Sequence, residues 1–153
     1  MFEIEREGVV DAPVEQVWPL VADVARIPEW LTFASRMELI EGDGVGRRQR
    51  LHGRWGRKRS EVDQEITEYD PPRALAWRHL AERLDGRPAP VFARSTELRV
   101  TLEPRDGATL VRLRSRQEPA SPVKGLMMWM FGTRDVARQM DRSLARLAEA
   151  VRR

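Results

Sequence analysis

The chain has 153 residues, enough for one domain with a sizeable core, and its 41% hydrophobic and 33% charged content argues against both disorder and a membrane-embedded chain. With 27 basic and 24 acidic residues the formal net charge is +3, which does not by itself imply a nucleic-acid partner. There is no cysteine, which excludes disulfides, thiolate metal ligation and thiol catalysis, and two well-separated histidines argue against a metal site, so no cofactor is expected.

Residues 1–153 read as a single domain without repeats or linkers. No run reaches about 18 apolar residues, and the first residues lack the basic start and apolar core of a signal peptide. The expectation is a cytoplasmic protein without stable membrane insertion.

Phe2 to Val10 reads as a strand with Phe2, Ile4 and Val10 on one face, an alternation that Gly8 weakens and Arg6 interrupts. Asp11-Ala12-Pro13 is a helix start, with proline at the first helical position and Glu15 in the first turn. Val14, Val17, Trp18, Val21 and Val24 give that helix its apolar stripe, and Pro19 is expected to kink or loosen it. Ile27 to Leu31 reads as a second short helix or turn. Six strands follow, at Met37–Ile40, Arg47–Trp55, Ser60–Tyr69, Ala74–Leu80, Phe92–Glu103 and Thr109–Gln117. Gly42-Asp43-Gly44, Gly56, Asp70-Pro71-Pro72, Asp85-Gly86 and Asp106-Gly107 separate them, and such short connections suit antiparallel hairpins. Ser121 to Arg153 reads as one long helix, with Met130, Ala137, Met140, Leu144, Leu147 and Val151 at helical spacing and charged residues opposite. Its start, Leu126 to Phe131, is apolar on every side.

Several stretches carry a resemblance. Asp11 to Trp18 is similar to an I-x-A-P-x-E-x-V-W opening, Pro28-Glu29-Trp30 to a Y-P-x-W turn, and Gly42 to Gly46 to a G-x-G-V-G hairpin. Glu68 to Arg73 is similar to an E-x-x-P-P-R turn ahead of a strand containing tryptophan, here Trp77. With the order of elements, these motifs resemble the START-like, Bet v 1-like superfamily, specifically its bacterial polyketide cyclase/dehydrase and lipid transport branch. The resemblance implies an α+β helix-grip fold: a curled seven-stranded antiparallel sheet wrapped around a long C-terminal helix, with two short helices after the first strand. It further implies an apolar cavity between sheet and helix. Members bind lipids, sterols, polyketides or hormones, and a minority catalyse cyclisation or aromatisation.

Strand alternation selects the side chains that face the helix. Gln49, Leu51 and Trp55 share one face, as do Val62, Gln64 and Ile66, then Trp77 and His79, then Phe92, Arg94, Thr96 and Leu98, and finally Val111 and Ser115. Trp18, Trp30 and Phe33 are expected to form one wall of the cavity mouth, with Met127, Met130 and Phe131 opposite. The polar members carry the most information, because a buried polar group without a partner costs about 1 to 3 kcal/mol. Arg94 reads as a ligand contact, a solvated rim residue or half of an internal ion pair, and His79 as a structural histidine or a general acid or base. Residues 47–59 hold seven basic residues and no acidic one, but the opposite strand offers Glu61, Asp63 and Glu65 to His52, Arg50 and Arg54. The expected cross-strand pairs are Arg54 with Glu61, His52 with Asp63 and Arg50 with Glu65, a salt-bridged face in place of a nucleic-acid surface.

Three functions fit these residues. The first is a noncatalytic carrier or sensor of a small hydrophobic molecule. The second is a polyketide cyclase or aromatase using Arg94 and His79, with Thr96 or Ser115 holding a carbonyl. The third is an interaction module, with Met127, Trp129 and Phe131 contacting a second copy or another protein.

Overall fold

The computed structural model describes residues 2–90 and 93–153, with the Phe131 side chain left out, so the expectations for Phe92 and for the Phe131 side chain lie outside the described residues. Strands β1 (Phe2–Val10), β2 (Arg36–Glu41), β3 (Arg48–Trp55), β4 (Lys58–Asp70), β5 (Ala74–Leu84), β6 (Arg87–Pro88), β7 (Ala93–Arg105) and β8 (Ala108–Pro119) form one antiparallel sheet. Their order is β1-β8-β7-β5-β4-β3-β2, and the two-residue β6 pairs only with the end of β5. Helix α1 (Val14–Ala22) and a 3-10 helix (Val24–Glu29) carry the chain from one edge strand to the other, and helices α2 (Pro122–Phe131) and α3 (Thr133–Ala150) complete it. This is the expected helix-grip fold.

Turn chemistry sets the registers. Asp85-Gly86 and Asp106-Gly107 hold φ of +50° and +80° and of +50° and +84°, the two successive positive values that a two-residue type I′ hairpin needs. Gly56, at φ +63°, opens an equally tight turn between β3 and β4. That turn overrides the expected charge pairing by two residues: Arg48 faces Glu65, Arg50 faces Asp63, His52 faces Glu61, and Arg54 faces Arg59. Because strand periodicity is two, the slip changes every partner and leaves every side chain on its expected face.

The outer face is laced with ion pairs. Arg50 Nε donates to Asp63 Oδ1 at 2.7 Å, Arg83 Nη1 to Asp63 Oδ2 at 2.9 Å, Arg83 Nη2 to Glu61 at 3.2 Å and Arg78 to Glu65 at 3.1 Å. Arg83, and then Arg50, hold the Asp63 carboxyl at about 2, against the partial burial that opposes its ionisation.

The C-terminal stretch is two helices, a correction to the single helix expected. They meet at Gly132, whose amide still donates to Met128 O at 2.9 Å. Glycine is among the poorest helix formers. The stripe of α3, with Met140, Leu144 and Leu147 buried, commits it to the sheet, whereas α2 is apolar all round and has no single face to follow. Two interrupting residues in β1 explain how α3 docks. Gly8 lies under Leu144, where an added Cβ would sit in ordinary contact at 3.6 Å from Leu144 Cβ, and Arg6 makes a two-pronged pair with Asp141 at 2.8 and 2.6 Å.

Asp63 has a testable signature. Its depressed pKa contributes stability that is complete above about pH 5 and is lost as pH falls toward 2. Asp63→Asn is expected to cost about 1 to 2 kcal/mol at pH 7, after discounting for solvent screening. Urea denaturation at pH 7, 5 and 3 checks this, the variant losing less stability than wild type between pH 5 and 3.

Candidate ligand-binding cavity

The concave face of the sheet and α3 enclose an open cavity of about 650 Å³. Its floor alternates apolar and polar rows across the strands. Leu51 and Val62 face each other in one row, and Trp77 faces Leu98, which faces Ser115, in another. The polar row begins with Gln49 opposite Gln64 and Gln64 opposite His79, and continues beyond the Trp77–Leu98 pair to Thr96, which faces Gln117. Helix α3 supplies Val136, Gln139 and Met140 as the roof, and Leu84, Ala89 and Pro90 line the side nearest β6.

The segment Leu31–Ser35 forms one lip and is tied at both ends. Thr32 N donates to Ser143 Oγ at 3.0 Å, and Thr32 Oγ1 donates to Gln139 Oε1 at 2.7 Å, fixing the lip to α3. Ser35 N and Oγ both donate to His52 O, at 2.8 and 2.9 Å, fixing it to β3. Between these ties Phe33 O lies so close to Gly53 that an added Cβ would approach it to 2.5 Å.

Of the residues selected from sequence, Phe33, Leu51, Trp55, Trp77, His79, Thr96 and Leu98 line the cavity. Trp55 sits at the rim, 59% exposed. The other described ones lie elsewhere. Trp30 is fully buried beneath α1, its Nε1 donating to Leu20 O at 2.7 Å, and Trp18 packs edge-on against Tyr69 with ring centroids 5.7 Å apart. Ile66 and Val111 are fully buried in the core. Arg94 points outward with its side chain 70% exposed near Glu118, because a bulge between Ala93 and Ser95 reverses the alternation there. Met127, Trp129 and Met130 are exposed on α2, which the helix break separates from the cavity roof.

Gln49 is fully buried and belongs to a polar chain behind the floor. Arg47, itself buried, donates through Nη1 to Ala22 O at 2.9 Å and through Nη2 and Nε to Gln49 Oε1 at 2.9 and 3.2 Å. Gln49 Nε2 then donates to Gln64 Oε1 at 2.9 Å. Burial pushes the Arg47 guanidinium pKa down, with Tyr69, Asp43 and Asp23 acting only at a distance to oppose it. The sequence reading passed over Arg47 as part of the solvated basic run. Its position one alternation step before Gln49 was the available signal.

At the rim, His79 Nδ1 and Glu82 Oε1 are 3.3 Å apart, and this contact lowers the Glu82 pKa. The cavity thus combines apolar walls, a polar row and a carboxylate–imidazole pair. Among the described residues no group of three or more histidine or acidic residues is arranged to hold a metal, and no helix is long and apolar enough to cross a membrane.

The model of one protein family, polyketide cyclase/dehydrase and lipid transport, matches residues 1–152. The chain belongs to this family. Solved structures agree on the fold. The Zhui aromatase/cyclase from Streptomyces sp. R1128 superposes with a TM-score of 0.77 at 19% identity, covering 99% of this chain and 94% of that one. The di-domain aromatase/cyclase BexL, from the BE-7585A biosynthetic pathway, gives 0.79 at 21% identity over 99% of this chain and 47% of its own. Ara h 8.0201 gives 0.74 at 15% identity, over 98% and 97% of the two chains. No curated protein matches the sequence.

The lip is open to a direct test. Gly53→Ala forces a methyl group against backbone, so it is expected to lower stability by about 1 to 3 kcal/mol. It should also displace the Phe33 carbonyl, which amide chemical shifts of residues 31–35 would register while those of α2 stay unchanged.

Proposed function

We propose that this family member binds a small, largely apolar molecule in the cavity between sheet and α3. The observation that carries this reading is the open space of about 650 Å³ walled by Leu51, Trp77, Leu98 and Met140, a size within the range of small-molecule sites. A packed core would leave few voids larger than a water molecule at this position. The floor's polar row orients the ligand, and the apolar rows supply the affinity. Native mass spectrometry of gently purified protein is expected to show an adduct of a few hundred daltons that disappears on denaturation. Failure of both an endogenous adduct and added polycyclic aromatic probes to bind would count against the reading.

A second reading, a cyclase or aromatase, is favoured by the His79–Glu82 pair within the cavity. The Glu82 carboxylate orients the imidazole through Nδ1, as a general base or acid requires. Arg94, outward-facing, has no part in it. If the protein carries out this chemistry, His79→Gln should lower turnover of a poly-β-ketone substrate about 100-fold or more, while the ligand's Kd changes little. Equal turnover by the two proteins would rule the pair out.

A further inference from the structure

The polar chain behind the floor ends in an unspent donor. Arginine has donors only, so the Gln49 side chain must turn its oxygen toward Arg47 and its amide nitrogen away. That nitrogen donates to Gln64, which forces the Gln64 oxygen to face Gln49. The direction of both amides therefore follows from the chemistry of Arg47. What remains is Gln64 Nε2, on a cavity-lining side chain only 1% exposed, with no hydrogen-bond partner among the described residues. An unmade hydrogen bond at such a site is costly, and the cost disappears once an acceptor arrives.

We infer that Gln64 Nε2 anchors an oxygen acceptor on the ligand, so that the cavity selects apolar molecules bearing a ketone or similar carbonyl oxygen over pure hydrocarbons of the same shape. This inference rests on the ligand-binding reading above and gives the ligand a required chemical group. Arg47 is the positioning residue. Its cation polarises the Gln49 and Gln64 amides in series, which strengthens the terminal donor. Gln64 lines the cavity beside Leu51, Val62 and Trp77 and faces Gln49 and His79 across the strands, so its donor is enclosed and a ligand oxygen that pairs with it is discriminated from one that cannot.

The test uses two isosteric probes, 2-acetylnaphthalene and 2-isopropenylnaphthalene, which differ in a carbonyl oxygen against a methylene carbon. Wild-type protein is expected to bind the ketone about tenfold more tightly. The bound ketone's infrared carbonyl stretch should also shift to lower frequency relative to its value in hexane. Gln64→Met should abolish both the preference and the shift while leaving affinity for the hydrocarbon within about twofold. Gln64→Glu, which keeps the acceptor for Gln49, serves where the methionine variant fails to fold. Above pH 8 its second carboxylate oxygen should reverse the preference. Equal binding of the two probes by wild type, or a preference and shift that persist in Gln64→Met or, with the carboxylate ionised, in Gln64→Glu, would overturn the role of Gln64 and leave the cavity reading intact. Binding of neither probe to wild type would overturn both.

Discussion

The distance at which α3 stands from the sheet decides what this fold can do, and that distance is set where the helix meets β1. Leu144 lies over Gly8, and burial of Met140, Leu144 and Leu147 supplies the adhesion, at about 1.5 to 3 kcal/mol for each large side chain. The Arg6–Asp141 pair is half exposed and adds little energy, but it fixes the helix's rotation and its position along β1. From this contact the helix runs toward β3 and β4 over strands it does not fully touch. The space left beneath it is the cavity, and its walls are simply those core residues that the helix does not reach.

The same curvature explains why polar residues survive on the concave face. Away from the cavity the inward side chains are mainly apolar and fully buried, as at Ile66, Val100, Val111 and Leu113. Where the helix stands off, the row from Gln49 to Gln117 crosses the floor. Its innermost members bond one another in sequence, from the buried Arg47 cation to the cavity-lining Gln64, whose Nε2 alone is left without a partner in that chain. A polar chain of this kind adds little to stability. Its effect is to give an otherwise nondirectional apolar pocket an orientation.

Much of the architecture was legible because the hairpin turns are written in Asp-Gly pairs and the strand faces alternate regularly. The two-residue error in the β3–β4 register cost nothing at the level of faces, which is why Leu51, Trp77, His79, Thr96 and Leu98 were selected together. Three residues show where such reading stops. Counting in twos puts Arg94 in the row of Thr96 and Leu98, as a ligand contact, a rim residue or half of an ion pair, and the bulge between Ala93 and Ser95 breaks that count and leaves it in solvent. Trp30 has the composition of a mouth residue, yet its indole N–H finds Leu20 O beneath α1, a tertiary contact that leaves no local trace. Gly132 sits inside a continuous apolar periodicity, and only the different packing of the two halves turns it into a boundary. Family membership confirms the fold expected from the motifs, and the chemistry of the site rests on the geometry alone.

The lip at Leu31–Ser35 has a mechanical consequence. Thr32 joins it to Gln139 and Ser143 of α3 and Ser35 joins it to β3, so the same two turns of the helix that pack on β1 through Asp141 and Leu144 are also tied, through the lip, to β3. A helix gripped from two flanks over the same two turns cannot lift there without breaking one set of contacts. The opposite wall is tied as well, since Leu84 pairs with Ser60 of β4 on one side and with Arg87 of β6 on the other, and Ala89 N donates to Glu82 O at 2.9 Å. Even the tip of the β5–β6 hairpin is held, with Asp85 N donating to Arg59 O and Arg59 N to Asp85 Oδ1, each at 2.9 Å, so the width of the space is set by hydrogen-bonded backbone on both sides.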